Sequence, residues 1–274
     1  MSLLHDRNRA YGVDFSGARD AGKRIWIAVG RDEGKSLRIE ACHRADTLPG
    51  SGRHRDTVLA ALRDFIAKEP TSVFGLDFPF GLPKALVTQD SWARFVLDLP
   101  DHYQSADAFR HACREVAEGR ELKRLTDAES QTPFSPYNLR LYRQTYHGIR
   151  DVLHPLVRDQ QACVLPMQRA SSGKPWILEI CPASTLKQQG LYMFYKGKTD
   201  AHRMARARIL ESLEMAGHLV IATQAIRSLI LDDHGGDALD SVIAAFATSR
   251  ALRNPTLLTV ERDEVYALEG RVYA

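Results

Sequence analysis

The chain has 274 residues, of which 44% are hydrophobic and 26% charged, and its formal net charge is +3. This length suits one large domain or two small ones, and the composition is that of a soluble globule rather than of a disordered or fibrous protein. The mildly basic balance permits a nucleic-acid partner without indicating one, because strong binders usually carry a basic stripe or a more extreme pI.

Three strand-like runs come first, at Tyr11–Ser16, Arg24–Val29 and Leu37–Cys42, and glycine-containing turns between them predict two hairpins. A helix is predicted over Arg55–Lys68, where apolar residues recur at helical spacing and Pro70 follows. The short apolar run Val73–Asp77 is typical of a buried strand of a parallel sheet.

Residues 79–163 differ from this pattern, since they are mixed in charge, punctuated by prolines and helical at 91–97, 106–117 and 137–157. They form either a cap over one end of the sheet or a passive elaboration. The second half predicts strands at 163–167 and 176–181, helices at 200–215, 223–229 and 237–252, and a small edge hairpin from 257–260 and 265–267. We therefore expect a single α/β domain over 1–274, with a mixed sheet, helices on both faces and a helical insertion at 79–163.

Cysteine use and terminal composition predict the compartment. The four cysteines form no C-x-x-C pair, and their scattered placement is typical of reduced thiols. The amino terminus lacks the apolar segment of a signal peptide, and no run approaches the roughly 18 apolar residues that span a membrane. We expect a cytoplasmic protein with no membrane partner.

Carboxylates interrupt apolar strands at several places. Asp14 lies within one such strand, Asp77 closes another, and Glu179 lies inside Trp176–Ile180. Asp is depleted in strands, and a buried ionised carboxylate is costly unless a cation, a proton or strong donors compensate it. The alternatives are an edge-strand or turn aspartate for Asp14 and Asp77, and an outward-facing side chain for Glu179. Repeated departures from local rules point first to a functional site.

Asp237 and Asp240 open a helix that is otherwise almost wholly apolar. Their i, i+3 spacing places both on one helical face, about 5–6 Å apart. Asp237 also suits a plain helix start, where the dipole favours an acid, but Asp240 lies one turn further in. Gly235 and Gly236 just before them allow a close approach of the chain.

Acidic oxygen ligands select hard cations, chiefly Mg²⁺ or Mn²⁺. Two such ions, about 3.5–4 Å apart, clamp the attacking and leaving oxygens of a phosphodiester displacement. A locally basic stretch supplies candidate substrate-binding cations at Lys196, Arg203 and Arg206, although an ordinary solvated helix face explains any single one of these residues better. The chain has no Walker, G-x-G-x-x-G, H-E-x-x-H or G-x-S-x-G motif.

Four short motifs resemble a known superfamily. Gly12–Ala18 resembles the first motif of ribonuclease-H-like proteins, and Gly75–Pro83 looks like the second motif of the DUF429 family, predicted nucleases of that superfamily. Glu179–Ala183 is similar to that family's acid-x-x-Pro motif. Asp237–Ser241 resembles its last helix and the paired acids of RuvC-like resolvases. The motifs span nearly the whole chain in the right order.

The resemblance implies a five-stranded sheet of order 3-2-1-4-5 whose second strand is antiparallel. It also implies metal-binding roles for Asp14, Asp77, Asp237 and Asp240, with Glu179 as a further catalytic acid. We therefore predict a Mg²⁺- or Mn²⁺-dependent nuclease, in which Asp14 bridges two ions. The long insertion departs from the compact resolvase pattern.

Two alternatives remain at the level of the sequence. A phosphotransferase of the sugar-kinase and actin type shares the same core, and Asp14–Gly17 resembles its phosphate loop, which makes Ser16 a substrate-binding candidate. Such enzymes usually need two copies of the core, and this chain has room for one. The other alternative is a nucleic-acid-binding module with a relic metal site that cuts no phosphodiester.

Overall fold

A computed structural model describes residues 7–258 and 264–274. Within them the strands form one eight-stranded sheet of order β5-β6-β4-β1-β2-β3-β7, and β8 pairs with β6. The strands are β1 (Arg9–Asp14), β2 (Trp26–Asp32), β3 (Leu37–Arg44), β4 (Val73–Leu76), β5 (Cys163–Val164), β6 (Trp176–Ile180), β7 (Leu219–Ile221) and β8 (Val272–Tyr273). β2 is antiparallel to both β1 and β3, and the other pairs are parallel. The α/β class and the mixed sheet are as predicted, but the sheet is larger than five strands.

Helices cover both faces of the sheet. The first is α1 (Arg55–Ala67), followed within the stretch predicted as an insertion by α2 (Trp92–His102), α3 (Ala106–Val116), α4 (Leu125–Glu129), α5 (Tyr142–Gly148) and α6 (His154–Arg158). A π-helical turn, Ile149–Leu153, joins α5 to α6. The later helices are α7 (Pro182–Gln188), α8 (Asp200–Met215), α9 (Gln224–Asp232), α10 (Asp237–Leu252) and α11 (Glu264–Glu269).

The alternation of side chains along the strands divides the apolar core into two layers. Tyr11 and Val13 of β1 pack with α1 and with the helices of the insertion. Ala10, which precedes Tyr11 in β1, points to the other face and packs instead with α8, α9 and α10. Successive strand residues point to opposite faces, so each strand contributes to both layers.

Helix α10 lies unusually close to the sheet. Nearly all of its residues are buried, as expected for a helix that is apolar all round. A Cβ atom at Gly12 would overlap the backbone of Ser241 and Ala245, and one at Gly75 would overlap the side chain of Thr248. The two glycines therefore allow the helix backbone to rest on β1 and β4.

The predicted tail hairpin is wrong in its second half. Val265–Ala267 lies in α11, whereas Leu257 and Leu258 end a 3-10 helix, and Thr259 and Val260 lie outside the described residues. The carboxyl-terminal strand is β8, which is only two residues long and so leaves no alternating pattern in the sequence. In the part of the chain that the structure describes, no helix combines the length and apolarity needed to cross a membrane.

Candidate functional site

The register of the parallel strands places Asp14 beside Asp77. Val13 of β1 pairs with Leu76 of β4, and the Asp77 amide donates to the Val13 carbonyl at 3.0 Å. Asp14 and Asp77 each follow the paired residues, so they sit at neighbouring strand ends, where strands are about 4.8 Å apart. By alternation both share the face of Gly12 and Gly75, which is the face that α10 covers.

The amino terminus of α10 brings Asp237 and Asp240 to the same place. Gly236 precedes the helix in the left-handed region, with φ of 76°, and a Cβ there would press on Tyr195 and Lys196 at 3.0 Å. This turn starts the helix directly over the ends of β1 and β4, as the glycine pair in the sequence suggested. Asp240 is only 4% exposed.

These acids line one cavity of about 660 Å³. The four acids in its lining are Asp14, Asp77, Asp237 and Asp240. One wall comes from the insertion and contributes Phe134, Leu139, Arg140, Arg143 and Gln144. Residues of the connection between α7 and α8, Tyr192–Lys196, also line the cavity. The insertion therefore helps to shape the site.

Burial and mutual repulsion perturb the acids. Burial, followed by the charges of Asp240, Asp237 and Asp77, raises the pKa of Asp14 well above its ordinary value. The same causes, burial first and then Asp240, raise the pKa of Asp77 to about 8. Burial also raises the pKa of Asp237, against the opposing charge of Lys196. Raised pKa values of this kind arise where carboxyl groups are buried close together, and perturbed pKa values are frequent at functional sites.

Lys196 is the cation that the cluster contacts in this structure. Its Nζ lies 2.6 Å from Asp240 Oδ2 and 3.7 Å from Asp237 Oδ1. Burial alone would lower the pKa of Lys196, but the attraction of Asp240 and Asp14 outweighs it and the net shift is upward. Tyr195 Oη donates to Asp240 Oδ1 at 2.6 Å. One side of the acid cluster is thus neutralised by the chain itself.

The acids alone do not have the arrangement of a formed metal centre. Across residues 7–258 and 264–274, no group of three or more His, Cys, Asp or Glu side chains is arranged to hold a metal ion. The donor chemistry nevertheless suits a hard cation, because four carboxylates line one cavity and three of them have raised pKa values. In this arrangement the Lys196 ammonium group contacts Asp240, where a metal cation would otherwise bind.

Glu179 belongs to a different group of charges. It pairs in register with Leu76, so its side chain lies on the opposite face from Asp77. There it accepts two hydrogen bonds from Arg124, one of them at 2.8 Å from Nη1, and a third from the Phe80 amide at 2.9 Å. Arg124 also contacts Asp127 at 2.8 Å. Glu179 borders the cavity, but its oxygens are occupied by this buried network.

The predicted substrate-binding residues are placed in different environments. Ser16 and Lys196 line the cavity. Arg203 does not line it and pairs with Asp232 at 2.9 Å on the surface. Arg206 is fully buried and donates to the carbonyls of Tyr195, Gly197 and Leu231, so it fixes the backbone beside Lys196 instead of reaching into the cavity.

Sequence reasoning missed the residues that the insertion supplies. Arg124 and Asp127 lie in a stretch of mixed charge where no local pattern distinguishes a buried arginine from a solvated one. Arg140 and Arg143 are exposed at the cavity wall, and each lies against an aromatic ring. Clustered arginines and aromatics in that segment were the available signal.

Comparison with family models gives one match. The model described as "Protein of unknown function (DUF429)" matches residues 12–264, which is nearly the whole chain. Comparisons with curated proteins and with solved structures gave no match. The matched range contains all of the predicted acidic residues and the insertion.

Proposed function

Because the chain belongs to the DUF429 family, whose description assigns no function, we propose one from the chemistry of its own site. The protein is a divalent-metal-dependent nuclease that hydrolyses phosphodiester bonds in nucleic acid. Asp14, Asp77, Asp237 and Asp240 are its metal-binding acids.

One observation carries the proposal. Acids from the ends of β1 and β4 and from the first turn of α10 converge on a single cavity, although more than half of the chain separates the first from the last. Folding has gathered like charges at a cost, since Asp14 and Asp77 both have raised pKa values. A protein without use for such a cluster would be more stable with neutral residues there.

The sheet supports a place in the ribonuclease-H-like superfamily. Its central path β3-β2-β1-β4-β6 has the order 3-2-1-4-5 when those strands are counted along the chain, and its second strand is antiparallel. β5, β7 and β8 extend this core at its edges. Because fold does not fix function, the agreement adds weight without replacing the argument from the site.

A Mg²⁺ or Mn²⁺ ion held by these acids would stabilise the negative charge that develops on the phosphate oxygens. Asp14, which lies next to Asp77 and α10, would hold such an ion together with Asp77 and the acids of α10. Lys196 neutralises Asp240 and Asp237 when no ion is present, and its half-exposed side chain can turn toward a substrate phosphate instead. Glu179 acts through Arg124 as a positioning residue that fixes the insertion against β6.

Replacement of Asp14 by Asn tests the proposal. The amide keeps the shape of the side chain but removes a charged ligand, so we expect cleavage to fall by at least two orders of magnitude while the fold is retained. The substrates are single-stranded, duplex and branched DNA and RNA with Mg²⁺ or Mn²⁺. The matched control is Asp56→Asn on α1, whose side chain is 76% exposed. Full cleavage by the Asp14 variant, or none by the wild-type protein on any substrate, contradicts the proposal.

A binding module with a relic site is the second candidate, and the contacts of Lys196 favour it. A lysine that permanently replaced the metal would also hold the acids together. No three His, Cys, Asp or Glu side chains among the described residues are arranged to hold a metal ion, which agrees with this alternative. A titration with Mn²⁺ distinguishes the nuclease from the binding module. Thermal stabilisation that saturates with the ion and is lost in Asp14→Asn favours the nuclease. The described residues form a single sheet, and nothing in them favours the phosphotransferase, which usually needs two copies of the core.

A further inference from the structure

Large apolar side chains are exposed where the cavity opens. Phe194 is 90% exposed, Leu139 is 64% exposed and Tyr192 is 53% exposed, and all three line the cavity. Phe194 and Tyr192 lie on the connection between α7 and α8, whereas Leu139 lies on the insertion. Aromatic side chains exposed beside a charged site are typical of a stacking surface for nucleic-acid bases.

Positive charge lies beside these side chains. The Arg140 guanidinium is 5.4 Å from the centre of the Phe134 ring and makes no ion pair with any acid in 7–258 or 264–274. Arg143 lies over the Tyr142 ring, and its ion pair with Asp107 is long, at 3.4 Å, and exposed. Surface ion pairs of this kind contribute little, so both arginines are free to contact phosphates. The exposed aromatic side chains and the arginines beside them therefore both suit binding to nucleic acid.

The burial of the acids limits which form of nucleic acid, single strand or duplex, can reach them. Asp14 is only 8% exposed and Asp240 only 4%, and both line a cavity of about 660 Å³. That is the volume of a pocket for a small molecule, which lies between roughly 300 and 1,000 Å³. A double helix is far wider and holds its phosphates on a stiff surface. A single strand can bend one phosphate down to the acids and leave a base at the rim.

We propose that the substrate enters this site as a single strand, with a base stacked on Phe194 and neighbouring phosphates bound by Arg140 and Arg143. The proposal rests on the proposed function for the identity of the site as a nuclease centre. It adds the substrate class, and it gives the insertion the task of binding the strand.

Equilibrium binding to the full-length Asp14→Asn protein tests the proposal without cleavage. The probes are a short fluorescent oligonucleotide, as DNA and as RNA, and the same sequences as blunt duplexes, with Mg²⁺ present. We expect the single strands to bind at least tenfold more tightly than the duplexes. Adding Phe194→Ala should weaken single-strand binding about tenfold, because the aromatic side chain on which a base stacks is lost. The matched control is Met215→Ala, which removes a side chain that is 84% exposed on α8 and does not line the cavity.

The salt dependence of binding tests the arginines separately. Arg140→Gln should reduce the slope of log K against log salt for a single strand by about 0.7, the value for one phosphate contact. The control is Arg158→Gln, because Arg158 is exposed on α6 and pairs locally with Asp159.

Several results would overturn the proposal: duplex binding as tight as single-strand binding, a Phe194→Ala effect no larger than that of Met215→Ala, an unchanged salt slope in Arg140→Gln, or no binding of any probe. These results are distinct from failure of the nuclease proposal. Binding of single strands that depends on Phe194, without cleavage by the wild-type protein, supports the strand proposal and refutes the nuclease. Cleavage that is confined to duplexes and depends on Asp14 would support the nuclease and refute the strand proposal.

Discussion

At the scale of single residues, Asp77 has a large effect on stability. Its ordinary pKa of 3.8 applies to the unfolded chain, whereas burial and Asp240 raise the pKa to about 8 in the folded protein. The folded state therefore binds the proton more tightly. The stability associated with this proton is fully present below pH 4 and is lost as the pH rises toward 8.

Asp77→Asn should therefore stabilise the metal-free protein, and more so at pH 8 than at pH 5. The neutral amide avoids the charge that the folded state disfavours, so the gain at pH 8 is on the order of a few kcal/mol. Urea unfolding at both pH values measures the effect. Asp56→Asn, at an exposed position on α1, should change stability little at either pH. An Asp77→Asn gain that does not depend on pH would mean that the carboxylate is not perturbed as described.

At the scale of elements, the contact of α10 with the sheet determines the geometry of the site. The helix carries Asp237 and Asp240 at its first turn, and Gly12 and Gly75 set how closely it approaches β1 and β4. Any change that lifts the helix moves these acids away from Asp14 and Asp77.

Gly12→Ala should lower the free energy of unfolding by about 1–3 kcal/mol and reduce cleavage. The added methyl group overlaps the backbone of Ser241 and Ala245, which cannot move without shifting the helix. Gly52→Ala is the matched control, because its Cβ would meet only the Thr57 side chain at 3.1 Å. Chemical denaturation and the cleavage assay measure both variants. A Gly12→Ala protein as stable as the control would show that α10 can be displaced without cost.

The buried charges around Arg124 join other elements in a similar way. Arg124, at the start of α4, binds Glu179 of β6, Asp127 of α4 and the carbonyl of Glu269 in α11. Glu269 in turn accepts from the amides of Lys84 and Leu125. The network therefore connects the insertion and the carboxyl-terminal helix to the sheet.

Arg124→Met should lower the free energy of unfolding by about 3–5 kcal/mol, because it leaves buried carboxylates without their cation. Arg158→Met removes an exposed pair with Asp159 and should cost at most about 1 kcal/mol. Denaturant titration compares the two variants. Equal losses would mean that the Arg124 network is as solvated as a surface pair.

At the scale of the whole molecule, metal binding and protonation compete for the same acids. The pKa of Asp14 is raised and that of Asp77 is raised to about 8, so a proton occupies Asp77 over much of the range below pH 8. Mn²⁺ should therefore raise the Tm more at pH 8 than at pH 6, since the ion requires the carboxylates ionised. Scanning calorimetry at a fixed ion concentration measures this, with Asp14→Asn as the variant that should not respond. Equal shifts at both pH values would place the ion elsewhere.

Much of the site was predictable because its acids interrupt stretches that are otherwise apolar. Asp14 and Asp77 stood out because strands that are otherwise apolar carry an acid, and Asp240 because an apolar helix does. The same reasoning selected Glu179, yet the strand register places it on the opposite face from Asp77, against Arg124. The basic run containing Arg206 suggested phosphate contacts, yet the side chain turns inward to backbone carbonyls.

The sequence by itself determined most element types, the mixed sheet and the acids that stand out, because periodicity and the cost of a buried charge act within a few residues. Only the tertiary structure decided which acids meet, which face of the sheet each one occupies, and which cation neutralises them. Those outcomes depend on register and on contacts such as that between Arg124 and Glu179, which are distant in the chain and leave no local pattern.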